Sequence, residues 1–369
     1  MNNTEIIAFY LPQYHRVKEN DEWYGEGFTE WTNVRKAKPL FLGHNQPIHP
    51  GELGYYDLLD PKVRDKQSEL AKSAGISAFC YYHYWFGGGK QLLETPLNEV
   101  VRLQKPDMPF CICWANHRWL KKTWNPETSV LDQVPLLSIN YGDEADWRLH
   151  FNTLLPMFKD SRYYKIDGRL AFVLYRIQDI PNVKEFMVLW DKLALANDLP
   201  KFYWMNYVDD EVKLKEPIQN ICDSKILMLK DNITSISVNS VFVRKLYRFI
   251  KGLFSQLFNK TISVYSYPAN RKKLLSDKFS DENVIPTLIP NWDNTARRQE
   301  GATVFKGSCP EQFYLHCKEV FSYVKEKKNK VVFLKSWNEW GEGNYIEPDD
   351  KFGRGWLEAL HKALEQYEQ

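Results

Sequence analysis

Several things are scarce or missing in this chain of 369 residues. No window reaches the roughly 18 consecutive apolar residues that a membrane-crossing helix requires, so no such span is expected. An excess of one charge sign is missing too: 49 Lys and Arg against 47 Asp and Glu leave a formal net charge of +2. A nucleic-acid partner, which ordinarily leaves a strongly basic footprint, is therefore not expected. Cysteine occurs at 80, 111, 113, 222, 309 and 317 without a CxxC pair, and the histidines form no cluster, so neither a metal nor another cofactor is expected. Cys80, Cys111 and Cys113 lie in apolar, strand-like runs and read as buried free thiols of a reducing compartment. The first residues, Met1 to Glu5, lead straight into a strand-like run with no basic segment followed by an apolar one. The corresponding expectation is a cytoplasmic protein without a secretory signal. Internal repeats and low-complexity tracts are also missing.

What is abundant is aromatic surface: 13 Trp, 21 Tyr and 21 Phe make up 15% of the chain. Many stand beside Asn, Glu, His or Arg rather than inside apolar runs. Strand-like runs recur at Ile6–Tyr10, Ile76–Tyr82, Phe110–Trp114, Leu170–Tyr175, Phe202–Tyr207, Val284–Ile289 and Val331–Trp337. Helical patterns fall between them, at Lys62–Ser73, Leu92–Leu103, Glu144–Phe158, Val183–Ala196 and Glu311–Lys325, with Trp356–Glu365 after the last strand. Alternation of this kind predicts βαβ units around a parallel sheet. Seven clear strands, with an eighth undefined between Asn220 and Ser266, fit a single (β/α)8 barrel over residues 1–369 better than an open sheet.

Polar and aromatic residues gather at the C-terminal ends of these runs. Tyr10 leads to Gln13, and Tyr82 to His83 and Trp85. Trp114 leads to Asn116 and His117. Tyr175 precedes Arg176, and Asn206 closes the fifth run. Trp292, Asp293 and Arg297 follow the sixth, and Asn338, Glu339 and Trp340 the seventh. In a barrel these ends converge on the face where active sites form, so all are candidate substrate contacts. Gly27–Asn33, which contains Trp31, belongs to a long loop after the first run and is expected to act as a lid or a sugar-binding wall, or else to pack without touching substrate. For His83 and His117 a purely structural histidine is an equal alternative. For Asp293 a helix N-cap is the plainer one.

The sharpest chemical signal is Trp337-Asn338-Glu339-Trp340-Gly341-Glu342-Gly343-Asn344. Two carboxylates three residues apart can divide acid and base roles at a glycosidic bond, and flat indole faces suit the C–H surfaces of sugars. Glu339 and Glu342 are the expected catalytic pair of a carbohydrate-active enzyme. One stretch breaks the alternation: 210–283 reads as an irregular insertion. Within it, 241–260 has apolar residues at helical spacing with Arg244, Lys245, Arg248 and Lys251 between them. This basic amphipathic pattern fits packing on the barrel or peripheral contact with an anionic inner-membrane surface.

Taken with the opening FYLPQYH, the segments 20–47, 75–86, 109–116, 290–298 and 336–348 give the chain its likeness to a known group. It resembles the WbsX-type proteins, labelled glycosyltransferases and found with bacterial surface-polysaccharide genes, and through them glycoside hydrolase family 99, the endo-α-mannosidases and endo-α-mannanases. The resemblance implies one (β/α)8 barrel acting inside a glycan chain with retention at a mannose-like sugar. Carried over by motif position, Glu339 would deprotonate the sugar 2-hydroxyl to form a 1,2-anhydro sugar. Glu342 would protonate the leaving group and then activate water. The implied substrate is an oligosaccharide or polysaccharide of the bacterial surface, free or lipid-linked. The alternatives are a glycosyltransferase of O-antigen (lipopolysaccharide) or capsule biosynthesis and a non-catalytic carbohydrate-binding protein. The oligomeric state is left open. One departure stands out: the family has Glu-Asn after Trp-Ala-Asn, where this chain has His117-Arg118, a change from acid to base that favours an acidic or modified sugar.

Overall fold

The computed structural model describes residues 4–125, 130–234, 262–298 and 301–368. Eight strands form its centre: β1 (Glu5–Tyr10), β2 (Ile76–Trp85), β3 (Phe110–Trp114), β4 (Arg169–Leu174), β5 (Phe202–Val208), β6 (Ser224–Leu227), β7 (Val284–Leu288) and β8 (Val331–Leu334). Each pairs in parallel with the next, and β1 pairs with both β2 and β8. The sheet is therefore closed, a (β/α)8 barrel as the alternation predicted. The undefined strand is β6, inside the stretch read as an insertion. It is four residues long and includes Lys225, too short and too polar in part to stand out. Tyr267–Asn270 adds a single helical turn there. The basic amphipathic segment 241–260 lies outside the described residues.

Two of the helices around the barrel have their first turns capped by an aspartate side chain. Asp60 accepts from the Lys62 amide at 2.9 Å, with Pro61 next to it at the start of helix Pro61–Ser73. Asp143 accepts from the amides of Ala145 and Asp146 at the start of Glu144–Phe158. Such caps satisfy amides that have no partner within the helix. The remaining principal helices are Thr95–Leu103, Val183–Ala196, Pro310–Val324 and Gly355–Glu368. Among the described residues no helix is long and apolar enough to cross a membrane.

Strand alternation sorts side chains between the barrel interior and the helical layer. On β1 and β2 the ring of Phe9 stacks on Tyr82 at 5.3 Å and meets Phe333 of β8 at 5.0 Å, inside the barrel. Tyr10, one residue on, packs against Tyr81 and donates its hydroxyl to Gln67 of helix Pro61–Ser73 at 2.7 Å. The run predicted as Val331–Trp337 is shorter: β8 ends at Leu334, and a separate two-residue ladder pairs Asn338–Glu339 with Asn344–Tyr345. That small hairpin, at the C-terminal mouth of the barrel, carries both candidate carboxylates.

Candidate active site

The hairpin is held in place by buried side chains. Ser336 accepts from the Glu339 amide at 3.0 Å and donates to the Asn344 carbonyl at 2.7 Å. Asn344 donates to the carbonyls of Lys335 and Asn291. Asn338 bridges both backbone groups of Leu11, accepting at 2.8 Å and donating at 3.0 Å. The Tyr14 hydroxyl accepts from the Trp340 amide at 3.1 Å and donates to the Asn338 carbonyl. Trp340 stacks on Tyr345 at 3.7 Å and donates its indole N–H to Glu347 at 2.6 Å. Glu347 is fully buried and also accepts from Tyr56 and Gln67. The two glycines of the motif have separate reasons. A Cβ on Gly341 would lie 1.7 Å from Oε1 of Glu30, while Gly343 has φ +52° and a Cβ there would lie 2.7 Å from the Asp293 carbonyl oxygen. Side chains fit neither place.

The two carboxylates face different cations. Glu339, 5% exposed, is ion-paired with the Lys335 ammonium, which also donates to the Tyr82 hydroxyl at 3.1 Å. Glu342 accepts from Arg297 Nη1 at 2.8 Å, and the same guanidinium donates Nε–H to Glu30 at 3.1 Å. Burial pushes the Glu339 carboxyl up; Lys335 opposes this, the Glu342 charge adds to it, and the net direction is upward. Burial pushes Glu342 up as well, but there Arg297, Lys335 and Lys230 outweigh it and hold the carboxyl at about 2. Burial acts against the Arg297 charge too, and Glu30, Glu342 and Glu339 more than compensate for it.

Around the pair opens a cleft of 1420 Å³. That exceeds the roughly 300–1,000 Å³ typical of small-ligand pockets and leaves room for several sugar rings. Of the residues picked from sequence, Gln13, Tyr82, His117, Tyr175, Trp292, Arg297, Glu339 and Glu342 line it. Tyr175 stacks with Tyr207 at 4.6 Å to give the cleft an aromatic floor.

The other candidates sit behind that lining. Tyr10, His83 and Trp85 occupy outward strand positions. His83 shares a 2.9 Å Nε2–Nε2 contact with buried His150, and burial pulls it down to about 3. Trp85 lies flat on His150 at 4.4 Å, and Trp114 donates to the Trp85 carbonyl. Trp31 packs on Tyr14 and Tyr56 and donates to the Tyr56 carbonyl. Asn116 ties the ends of β3 and β4 together through both backbone groups of Arg176. Asn206 donates to Gln219 in the interior. Asp293 is taken by His44, Gln46 and Thr295. Asn338 and Trp340 face the scaffold, as described. These ten hold the site's walls rather than its surface. A strand's alternation explains the outward set, and the short polar residues are consumed by loop geometry.

Among the lining residues not singled out as site candidates from the sequence are Glu30, Tyr84, Lys230 and Lys335. Tyr84 was legible, two positions after Tyr82 on the same strand face. Lys335, four before Glu339, was legible only once the strand was known to end at Leu334. Glu30 was named as part of a loop, with nothing to show that it reaches Arg297, 267 positions away.

Similarity to known proteins agrees with this architecture. The family model described as Glycosyltransferase WbsX matches residues 6–360. A curated relative, "Uncharacterized protein WxcX" of Xanthomonas campestris pv. campestris (strain B100), is 30% identical over 363 residues, covering 97% of this chain and 49% of its own. The chain thus spans about half the length of the curated relatives it matches. Among solved structures, a "Glycoside hydrolase-like protein" aligns with TM-score 0.61 at 15% identity, over 99% of this chain and 94% of its own. The GH99 endo-alpha-mannosidase from Bacteroides thetaiotaomicron, solved with BIS-TRIS-propane, aligns with TM-score 0.53 at 16% identity, over 100% and 98%. At such identities the structural likeness speaks for the fold alone.

Proposed function

This chain belongs to the WbsX family, and on that premise we propose that it is a carbohydrate-active enzyme that cleaves or transfers within a glycan chain: a retaining, endo-acting glycoside hydrolase or transglycosylase acting on a mannose-like residue of a bacterial surface polysaccharide. The observation that carries the reading is the pair Glu339 and Glu342 at the mouth of a closed barrel, each with its own cationic partner, beside a cleft long enough for several rings. Glu339 takes the proton of the sugar 2-hydroxyl, whose oxygen attacks the anomeric carbon and expels the leaving oxygen. Glu342 protonates that oxygen, then deprotonates the water or acceptor hydroxyl that attacks the anomeric carbon and opens the 1,2-anhydro sugar, while Glu339 returns its proton to O2. Lys335 supports the first role, because a cation in contact with a buried carboxylate favours its ionised, proton-accepting form. Gln13, Tyr82, His117, Tyr175 and Arg297 are the proposed substrate contacts.

One observation favours a second division of labour. In the substrate-free site Glu342 is held ionised at about 2, whereas Glu339 is shifted upward, which suits Glu339 as the proton donor. Aryl glycosides with good leaving groups separate the two, since an acidic phenol needs no protonation on departure. If Glu342 is the acid, Glu342→Gln still releases the aryl group in a first-turnover burst and loses the natural substrate, while Glu339→Gln loses both. The opposite pattern reverses the roles. Equal retention by both variants overturns the pair.

The family description favours a glycosyltransferase as the other reaction class. A nucleotide-sugar transferase binds a nucleoside diphosphate, so titration calorimetry with UDP and GDP, each with Mg2+, discriminates. We expect no binding to the hydrolytic or transglycosylating enzyme; a dissociation constant in the micromolar range would replace it by the transferase.

A further inference from the structure

The carboxylates that line the cleft are already matched. Glu30 and Glu342 share Arg297, Glu339 holds Lys335, and Asp179 holds Arg176 at 2.5 Å. The same walls also present Lys230, Arg298 and Arg118. Neither arginine forms an ion pair with a carboxylate among the described residues. Lys230 has Asp231 at 3.2 Å, but the Asp231 side chain is 63% exposed and does not line the cleft. Exposed pairs of that kind contribute about 1 kcal/mol or less, leaving the ammonium free to take a better partner.

The placement of Lys230 is specific. Its Nζ lies 4.2 Å over the ring of Trp292, a buried indole at the same wall. A cation over an indole face is held by the ring quadrupole, so the ammonium is directed rather than free to wander. The contact also covers the face that Trp292 would otherwise offer to a sugar ring, so a substrate meets a positive charge there instead of an aromatic platform. Arg298 stands on the loop that follows Trp292, its amide donating to the Asn294 carbonyl at 2.7 Å. Lys230 and Arg298 therefore come from the loops after the adjacent strands β6 and β7, and both line the cleft beside Trp292. Arg118, after β3, stands across the cleft. A neutral glycan would leave these charges without a partner, whereas ammonium and guanidinium groups both bind carboxylates strongly.

We propose that Lys230 and Arg298 form a subsite for the carboxylate of an acidic sugar residue, so that the enzyme acts on anionic rather than neutral glycans. The inference rests on the carbohydrate reading above and narrows it to a substrate class. The test uses the full chain carrying Glu339→Gln, which binds without turning over. It is applied to an array of hexuronate-containing oligosaccharides printed beside their carboxyl-reduced, neutral twins. The acidic member of a bound pair is expected to bind at least ten-fold more tightly at low ionic strength. The gap should shrink as salt screens it, close in Lys230→Met and persist in Lys230→Arg. Equal binding of the twins by the chain with Lys230 intact overturns the subsite while leaving the carbohydrate reading in place, as does an undiminished gap in a folded Lys230→Met. Binding of neither set sinks the carbohydrate reading itself and the subsite with it.

Discussion

The two sides of the cleft are built on opposite principles. The side made by the loops after β1 and β8, with Arg297 reaching in from the loop after β7, is fully matched. Glu30, Arg297 and Glu342 form one chain of charges, and Tyr14, Tyr56, Trp340 and Glu347 form a hydrogen-bonded layer beneath them. The walls made by the loop after β6 and, across the cleft, the loop after β3 present Lys230 and Arg118 with little to neutralise them. Matched, buried charge fixes geometry, because breaking a buried pair leaves an uncompensated ion. Unmatched charge at an open wall is available to a ligand. On the function proposed above, the first side carries the chemistry and the second recognition, and substitutions on the two sides should fail in different ways.

The largest effect is expected at the matched side. Glu339→Gln and Glu342→Gln should each lower kcat on the natural substrate by about 10³-fold or more, in line with loss of a positioned proton-transfer group, and Glu339→Gln, which strips the buried Lys335 ammonium of its counter-charge, should also lower the thermal transition. Near-normal turnover in either variant would remove that carboxyl from the mechanism. Next comes Gly341→Ala. Its Cβ would fall 1.7 Å from Glu30 Oε1, so Glu30 must move and Arg297 with it. A displacement of about 1 Å in a catalytic group can cost on the order of 10²-fold in rate, and kcat should fall by that order. A normal kcat would mean that the Glu30–Arg297–Glu342 chain does not set the geometry of Glu342.

How much of this was legible depends on the distance over which each feature is specified. β1, β3 and β5 stand out because a strand buried on both faces is a continuous apolar run, and Phe110–Trp114 keeps its predicted ends. The candidate carboxylate pair stands out because both carboxylates, their glycines and their indoles lie within eight residues. β6 does not, since four residues containing a lysine carry almost no pattern of their own and are made a strand by β5 and β7. Nor could alternation say which of Tyr82, His83 and Trp85 faces the cleft until the inward face was known. The pairing of charges was hidden for the same reason: Glu30 meets Arg297, and Lys335 reaches Tyr82 across 253 positions, and such contacts exist only after closure.

The smallest effect on turnover, and the sharpest separation of the two sides, concerns Glu347. It is buried beneath the hairpin and accepts from Tyr56, Gln67 and Trp340. All three donors are neutral. They stabilise the carboxylate but do not cancel its charge, and burial wins, pushing the group from 4.5 up to about 7. Because the folded state holds this proton more tightly than the unfolded chain, the stability it contributes is complete below about pH 4.5 and declines as pH rises to about 7. Above that both states are ionised and the loss is constant, at about 3 kcal/mol. In Glu347→Gln this dependence should vanish, so the difference in urea-unfolding free energy between the original chain and the variant should fall steadily from pH 4.5 to 7 and then level off. Lys230→Met, on the open side, should show no such slope. A difference that stays flat across the same range would mean that the three donors outweigh burial at Glu347, and that the matched side is built to hold a carboxylate rather than a carboxylic acid.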